Sequence, residues 1–197
     1  MSILEQILQL DQHITLWINN LSSPWIDPLW MFLSNSRIWF PAYATIMGIL
    51  IWKLGWKKGL AVVLSLILCV VMTDQLSGMV KSGMERLRPC YNSWMVENGL
   101  RLPYGIVGHL FGFFSSHASN TFGFALCSYL GFKLNDPQHN YKAYGWGVAI
   151  WAILVTISRI MIGAHFAGDV IVGSIFGSVI GCAIAYLTHY IVVKAKL

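Results

Sequence analysis

Long apolar runs separated by short polar knots dominate the chain. Five runs approach or meet the roughly 20 residues that a membrane-spanning helix needs: 40–56, 60–81, 114–132, 144–162 and 166–193. The first is slightly short, and residues 30–33 can extend it through a kink at Pro41. Residues 2–21 follow a different pattern. Ile3, Ile7, Leu8, Leu10, Ile14, Trp17, Ile18 and Leu21 recur near helical spacing, while Glu5, Gln9, Gln12 and His13 are polar. That pattern suits a helix lying in the membrane interface rather than crossing it. The pattern predicts an all-α, polytopic transmembrane helix bundle of five spans with an interfacial N-terminal helix. A six-span count results if residues 2–36 cross once more.

Composition supports the lipid setting. Apolar residues make up 56% of the 197 and charged residues 11%, against about 25% charged in an ordinary soluble domain. So few charges cannot coat a globule of this size. The length allows a single integral membrane domain over residues 1–197, its N-terminal region being 1–36. The net charge is +5, but the basic residues are scattered between apolar runs, so nucleic acid is not an expected partner. No protein partner can be inferred. Cys69, Cys90, Cys127 and Cys182 form no CxxC pair, and three of them lie inside apolar runs. They are read as small buried hydrophobes. The N-terminus lacks a basic region, so no cleavable signal peptide is expected.

Charge placement predicts orientation. Lys53, Lys57, Lys58, Lys133, Lys142, Lys194 and Lys196 fall on one side if the spans alternate, which makes that side cytoplasmic. The opposite side carries the N-terminus and the long loop 82–113. It also holds Lys81, Arg86, Arg88, Arg101 and Arg159, which break the bias unless they serve another purpose.

Candidate chemistry lies at the helix ends. The second run closes in KSGMERLRPC, where Lys81 and Arg88 are seven apart and share a face if the helix persists; Pro89 stops regular structure near Arg88. The third opens FFSSHASN, with Ser115, Ser116 and His117 at a helix N-terminus. The fourth ends at Ser158–Arg159. The fifth starts near His165, with Asp169 four residues on and in reach of the imidazole. Alternation brings all four clusters to one side of the membrane. Helix N-termini bind phosphate, Arg forks match its oxygens, and phosphoryl transfer needs mainly positioning and charge stabilisation. A histidine oriented by a carboxylate can attack phosphorus, and a second can protonate the leaving oxygen. Three side-chain cations leave no need for a metal or other cofactor, and no carboxylate cluster stands ready to hold a metal.

These residues resemble the three-part signature of the type-2 phosphatidic acid phosphatase family, whose site is shared with vanadium-dependent haloperoxidases. Lys81, Arg88 and Pro89 match its Lys–six residues–Arg–Pro. Phe114-Ser115-Ser116-His117 matches Pro-Ser-Gly-His in part. Ser158, Arg159, His165 and Asp169 match Ser-Arg–five residues–His–three residues–Asp. The similarity covers residues 58–185. It implies that His165 attacks phosphorus to form a phosphohistidine, oriented by Asp169. It implies that His117 protonates the leaving group and then activates water. Lys81, Arg88, Ser115, the backbone N–H of Ser116 and Arg159 are implied to hold the phosphoryl oxygens. Phe114 and Ser116 depart from the family's Pro and Gly, and Ser116 adds a Cβ where the family has none.

The expected function is a metal-independent lipid phosphatase of the bacterial inner membrane, with its site on the outer face. Undecaprenyl pyrophosphate is the first candidate substrate, followed by phosphatidic acid, phosphatidylglycerol phosphate and a phosphorylated lipid A. A non-catalytic lipid-phosphate binder would need only the cations, not both histidines and Asp169. A transporter predicts broken helices with polar groups at the bilayer midplane, whereas the polar residues here cluster at helix ends. Asp74, seven before Lys81, is expected to be a buried partner of it or of another polar group, in a structural role. Glu85, Arg86, Glu97 and Arg101 read as solvated loop charges, with Arg101 also able to meet a headgroup. His109 reads as ordinary loop polarity, and His13, His139 and His189 lie off the site. Headgroup selection is assigned to loop 90–113 and the N-terminal helix.

Overall fold

The computed structural model describes residues 2–105 and 108–197. Its helices are α1 (Ile3–Asn20), α2 (Asp27–Ser34), α3 (Phe40–Leu54), α4 (Trp56–Met84), α5 (Ser93–Glu97), α6 (Ser116–Asn135), α7 (Lys142–Met161) and α8 (Ala167–Lys194). Among the described residues the only β pairing is one antiparallel bridge, Leu87 to Phe111. Each of the five expected runs becomes a helix, α3, α4, α6, α7 and α8, with ends within a few residues of those expected.

Three of these helices, α4, α7 and α8, are long and apolar enough to cross a membrane. The other two depart from the expectation for different reasons. With 15 residues, α3 reaches only about 22 Å at 1.5 Å per residue. The chain does not extend it through Pro41, which occupies the first turn of α3, where a missing N–H costs nothing. The break comes earlier, at a 3-10 turn over Ser36–Trp39. In α6 the polar content is high because the helix is central: it packs against α3, α4, α7 and α8. Ser119, Thr121, Ser128 and Asn135 are all buried there, each hydroxyl or amide bonding a carbonyl one turn back in its own helix.

A glycine seam sets the closest helix pair. Gly173, Gly177 and Gly181 stand four apart on α8 and face Ser115, Ser119 and Gly123 of α6. A Cβ on Gly177 would lie 2.1 Å from the Ser119 carbonyl oxygen, and one on Gly181 would lie 2.6 Å from that of Gly123. Small residues at this spacing let helix backbones touch where lipid offers no hydrophobic drive to pack. Outward, α8 presents Ile171, Ile175, Val179, Leu187 and Ile191, all exposed.

Helix α1 packs against α7 and α8, and it is amphipathic in an inverted sense. Ile3, Ile7, Leu10, Ile14, Trp17 and Leu21 are exposed, whereas Thr15 and Asn19 are fully buried. The stripe Asp11, Thr15, Asn19 grips the ends of α7 and α8. Asn19 donates to the carbonyls of Ile160 and Met161, each at 3.0 Å, and accepts from the Arg101 N–H at 2.8 Å. Thr15 accepts from the Ala167 N–H at 2.8 Å and Asp11 from the Gly168 N–H at 2.8 Å. The first turn of α8 has Phe166 as its N-cap, which offers no side-chain acceptor, so the capping groups come from another helix.

Candidate active site

The C-termini of α4 and α7 and the N-termini of α6 and α8 meet at one end of the bundle. There Lys81, Arg88, Ser116, His117, Arg159 and His165 line a cavity of about 720 Å³. Away from this polar end the wall is apolar and aromatic, formed by Tyr43, Met47, Leu66, Ile67, Val70 and Phe124 between α3, α4 and α6.

Lys81, three residues from the end of α4, donates to Ser116 and more loosely to Ser77, whose hydroxyl is 2.6 Å from that of Ser116. Arg88 does not share a helical face with Lys81 as the seven-residue spacing suggested. Helix α4 stops at Met84, Glu85 takes a left-handed conformation, and its N–H caps the Lys81 carbonyl. The chain then doubles back. Gly112 donates to the Arg86 carbonyl at 2.8 Å and Arg88 to the Leu110 carbonyl at 3.0 Å. This clip turns the Arg88 guanidinium inward, where it contacts the Phe111 and Ala164 carbonyls and lies 3.0 Å from His165 Nε2. The path depends on Gly112, whose Cβ would meet Arg88 Cγ at 3.0 Å and Asp169 Oδ2 at 3.1 Å.

His165 lies in the turn between α7 and α8 and is buried. Its Nδ1 faces Asp169 Oδ2 at 3.4 Å, the carboxylate being fixed by the Phe166 N–H at 3.1 Å. Burial, reinforced by the charges of Arg88, Arg159 and Lys81, holds the imidazole pKa well below its ordinary value. An imidazole that donates Nδ1–H to Asp169 and accepts an Arg88 N–H at Nε2 carries its lone pair on Nε2. His117 meets Ser36 Oγ at 2.9 Å. Arg159 donates to Ser34, and its Nε is buried with no hydrogen-bond partner among the described residues.

Of the eight residues expected at the site, six line the cavity. Asp169 stands behind His165, fully buried. Ser115 is also buried, and its hydroxyl caps α6 at the Ala118 N–H, 3.4 Å away; its own N–H donates to the Asp169 carbonyl at 3.1 Å. It thus joins the second and third motifs and does not face the cavity.

Two loop charges are not solvated as the sequence suggested. Arg86 pairs with Asp11 and Asp169, and Arg101 with Asp27, each at 2.7 Å. Each arginine lies above a carboxylate that the backbone places there, a proximity that sequence distance hides. Glu85 and Glu97 are exposed, as expected. Asp74 partners another polar group, accepting from Asn120 at 3.3 Å, but it is exposed on the cavity wall rather than buried. His109 lines the cavity, and of loop 90–113 so do Gly108 and Phe111. Ser34 and Ser36 carried no motif and were missed. His13 stacks edge-on against Trp94, His139 meets Asp136 and His189 meets Asn135, all away from the cavity.

A helix bundle with membrane-type spans that carries a cation-rich, two-histidine pocket at one end defines the class of the chain as a membrane protein with a polar site at the helix ends. The chain belongs to the PAP2 superfamily, whose model matches residues 58–195. It is 26% identical to a lipid A 4'-phosphatase of Bacteroides thetaiotaomicron over 98% of this chain and 83% of that protein. It is 30% identical to a lipid A 4'-phosphatase of Porphyromonas gingivalis over 90% of this chain and 72% of that one. Its fold matches that of a transmembrane PAP2-type phosphatidylglycerolphosphate phosphatase from Bacillus subtilis. The TM-score is 0.72 at 19% identity, covering 94% of this chain and 88% of that one.

Proposed function

We propose that the protein is a metal-independent lipid phosphatase that removes a phosphate monoester from a lipid A-type glycolipid through a phosphohistidine. The observation that carries this reading is how the cations divide. Arg86 and Arg101 have carboxylate partners. Lys81, Arg88 and Arg159 form no ion pair among the described residues, yet they surround the cavity end and both histidines. Burying guanidinium without a counter-charge is costly, so the arrangement favours a dianionic ligand. The apolar stretch between α3, α4 and α6 suits acyl chains. Both curated relatives, matched over most of their length, favour lipid A 4'-phosphate over undecaprenyl pyrophosphate, the first candidate from sequence.

In the proposed reaction His165 Nε2 attacks phosphorus as the bond to the leaving oxygen breaks. Lys81, Arg88, Arg159 and the α6 N-terminus hold the phosphoryl oxygens. His117 gives a proton to the leaving alkoxide, then takes one from the water that cleaves the N–P bond and frees inorganic phosphate. Asp169 stabilises the charge that develops on His165. The site faces the outer side of the cell membrane.

Phosphate release by the purified protein, measured with EDTA across lipid A, undecaprenyl pyrophosphate, phosphatidic acid and phosphatidylglycerol phosphate, tests this. Lipid A turnover unchanged by EDTA is expected. Loss of turnover in EDTA with recovery in Mg²⁺ would overturn the metal-independent mechanism, and preference for another substrate would overturn the lipid A assignment.

A further inference from the structure

We propose that Arg86 and Asp11 are positioning residues for the His165–Asp169 pair, which makes the N-terminal helix part of the catalytic apparatus; this rests on the phosphatase reading. The bonds form one connected chain. Asp169 Oδ2 faces the imidazole and takes the Phe166 N–H, while Oδ1 takes Arg86 Nη1 at 2.7 Å. Arg86 Nη2 donates to Asp11 Oδ2 at 2.7 Å, and Asp11 Oδ1 takes the Gly168 N–H at 2.8 Å. All four carboxylate oxygens are therefore engaged, and a planar fork holds the two carboxylates in a fixed relation.

Arg86 is itself immobilised. Its guanidinium lies over the Phe166 ring, 4.2 Å from the centroid, and its carbonyl receives the Gly112 N–H at 2.8 Å. Without Arg86, Asp169 would be a fully buried carboxylate with one side unanswered, free to rotate away from an imidazole that it meets only at 3.4 Å. Gly168 is required for the contact with α1, since a Cβ there would lie 2.7 Å from Asp11 Oδ2. Among the described residues the Asp11 side chain bonds Arg86 and Gly168, neither of which lines the cavity. Its effect on the reaction passes through Arg86 and Asp169, and the exposed apolar face of α1 ties that effect to how α1 lies on lipid.

The test is steady-state kinetics of the full-length protein with lipid A, for wild type, R86K, R86Q, D11N, G168A and D11N/R86Q, with a thermal midpoint for each. R86Q should lower kcat by about 10–100-fold, the usual cost of losing a hydrogen-bond partner behind a reacting group, with KM little changed because the phosphate-holding cations remain. R86K, which keeps the charge but not the fork, should recover only part of that loss. G168A and D11N should lower kcat in the same sense and by less. The double variant should be no slower than R86Q, because both changes cut one chain. D11N leaves Arg86 and Asp169 in place and decides the matter if R86Q does not assemble. An active wild type with kcat unchanged in D11N and R86Q would overturn this proposal alone, as would losses that appear in KM or multiply in the double variant. A wild type inactive on every lipid phosphate would overturn the phosphatase reading and this proposal with it.

Discussion

At the scale of single residues, the two histidines differ in what surrounds them, and that difference predicts how each fails. His165 has its Nδ1 side closed by Asp169 and its Nε2 toward Arg88, an arrangement that suits the nucleophile proposed above. Among the described residues the His117 ring hydrogen-bonds one hydroxyl, that of Ser36, and no carboxylate, which suits proton transfer. His165→Ala should leave no trapped phosphoenzyme. His117→Ala should slow turnover by about 10²–10⁴-fold, the usual worth of general acid–base catalysis, and leave the covalent step detectable. Rapid-quench trapping of acid-labile labelled enzyme distinguishes the two, and label trapped in His165→Ala would reverse the assignment. These residues were legible because each motif lies within a dozen positions of one chain segment. Ser34 and Ser36 were not: they reach Arg159 and His117 across 125 and 81 positions, and two serines in a polar stretch carry no spacing signal. Arg86 misled for the same reason, since its partners Asp11 and Asp169 lie 75 and 83 residues away.

Among the helices, the glycine seam decides the site's geometry, because it brings Ser115 of the second motif onto Asp169 of the third. Gly173, Gly177 and Gly181 spell a four-residue repeat inside the apolar run 166–193. Hydropathy records that a run is apolar and not which of its faces touches another helix. Gly177→Val should be costly, since the added carbon meets backbone rather than a flexible side chain. An overpacking cost of about 1–3 kcal/mol should lower the thermal midpoint and, by parting α6 from α8, the activity. Gly48→Ala in α3, where nothing lies within 4 Å, is the control; it should be neutral or slightly stabilising, alanine being the better helix former. Equal midpoints for both variants would show that the seam does not hold the pair together. The inward-facing stripe of α1 shows the same limit of hydropathy. Asp11, Thr15 and Asn19 are polar at helical spacing, and polar stripes ordinarily face water. Here they face helix ends, whose unpaired N–H and C=O groups need partners, and the apolar face is left for lipid.

Over the whole molecule, the distribution of cations becomes intelligible once partners are known. Lys53, Lys57, Lys58, Lys133, Lys142, Lys194 and Lys196 gather where α3, α6 and α8 end and α4 and α7 begin, opposite the cavity. At the cavity end, Arg86 and Arg101 are neutralised by aspartates, and Lys81, Arg88 and Arg159 line the cavity. The positive-inside bias counts lysines and arginines near span ends. Cations committed to a pocket or an ion pair have a separate reason to be where they are, so the remaining lysines carry the orientation. On that reasoning the proposed orientation has the lysine-rich end in the cytoplasm and the cavity facing outward. In a Cys182→Ser background single cysteines report this directly, because Cys182 is only half-buried whereas Cys69, Cys90 and Cys127 are buried. Asn98→Cys, exposed beyond α5, should react with a membrane-impermeant maleimide in intact spheroplasts. Asn140→Cys, exposed between α6 and α7, should react only after the membrane is opened. The reverse pattern would put the cavity in the cytoplasm, where a lipid of the outer leaflet cannot reach it, and the proposed substrate would have to be one presented on the inner leaflet.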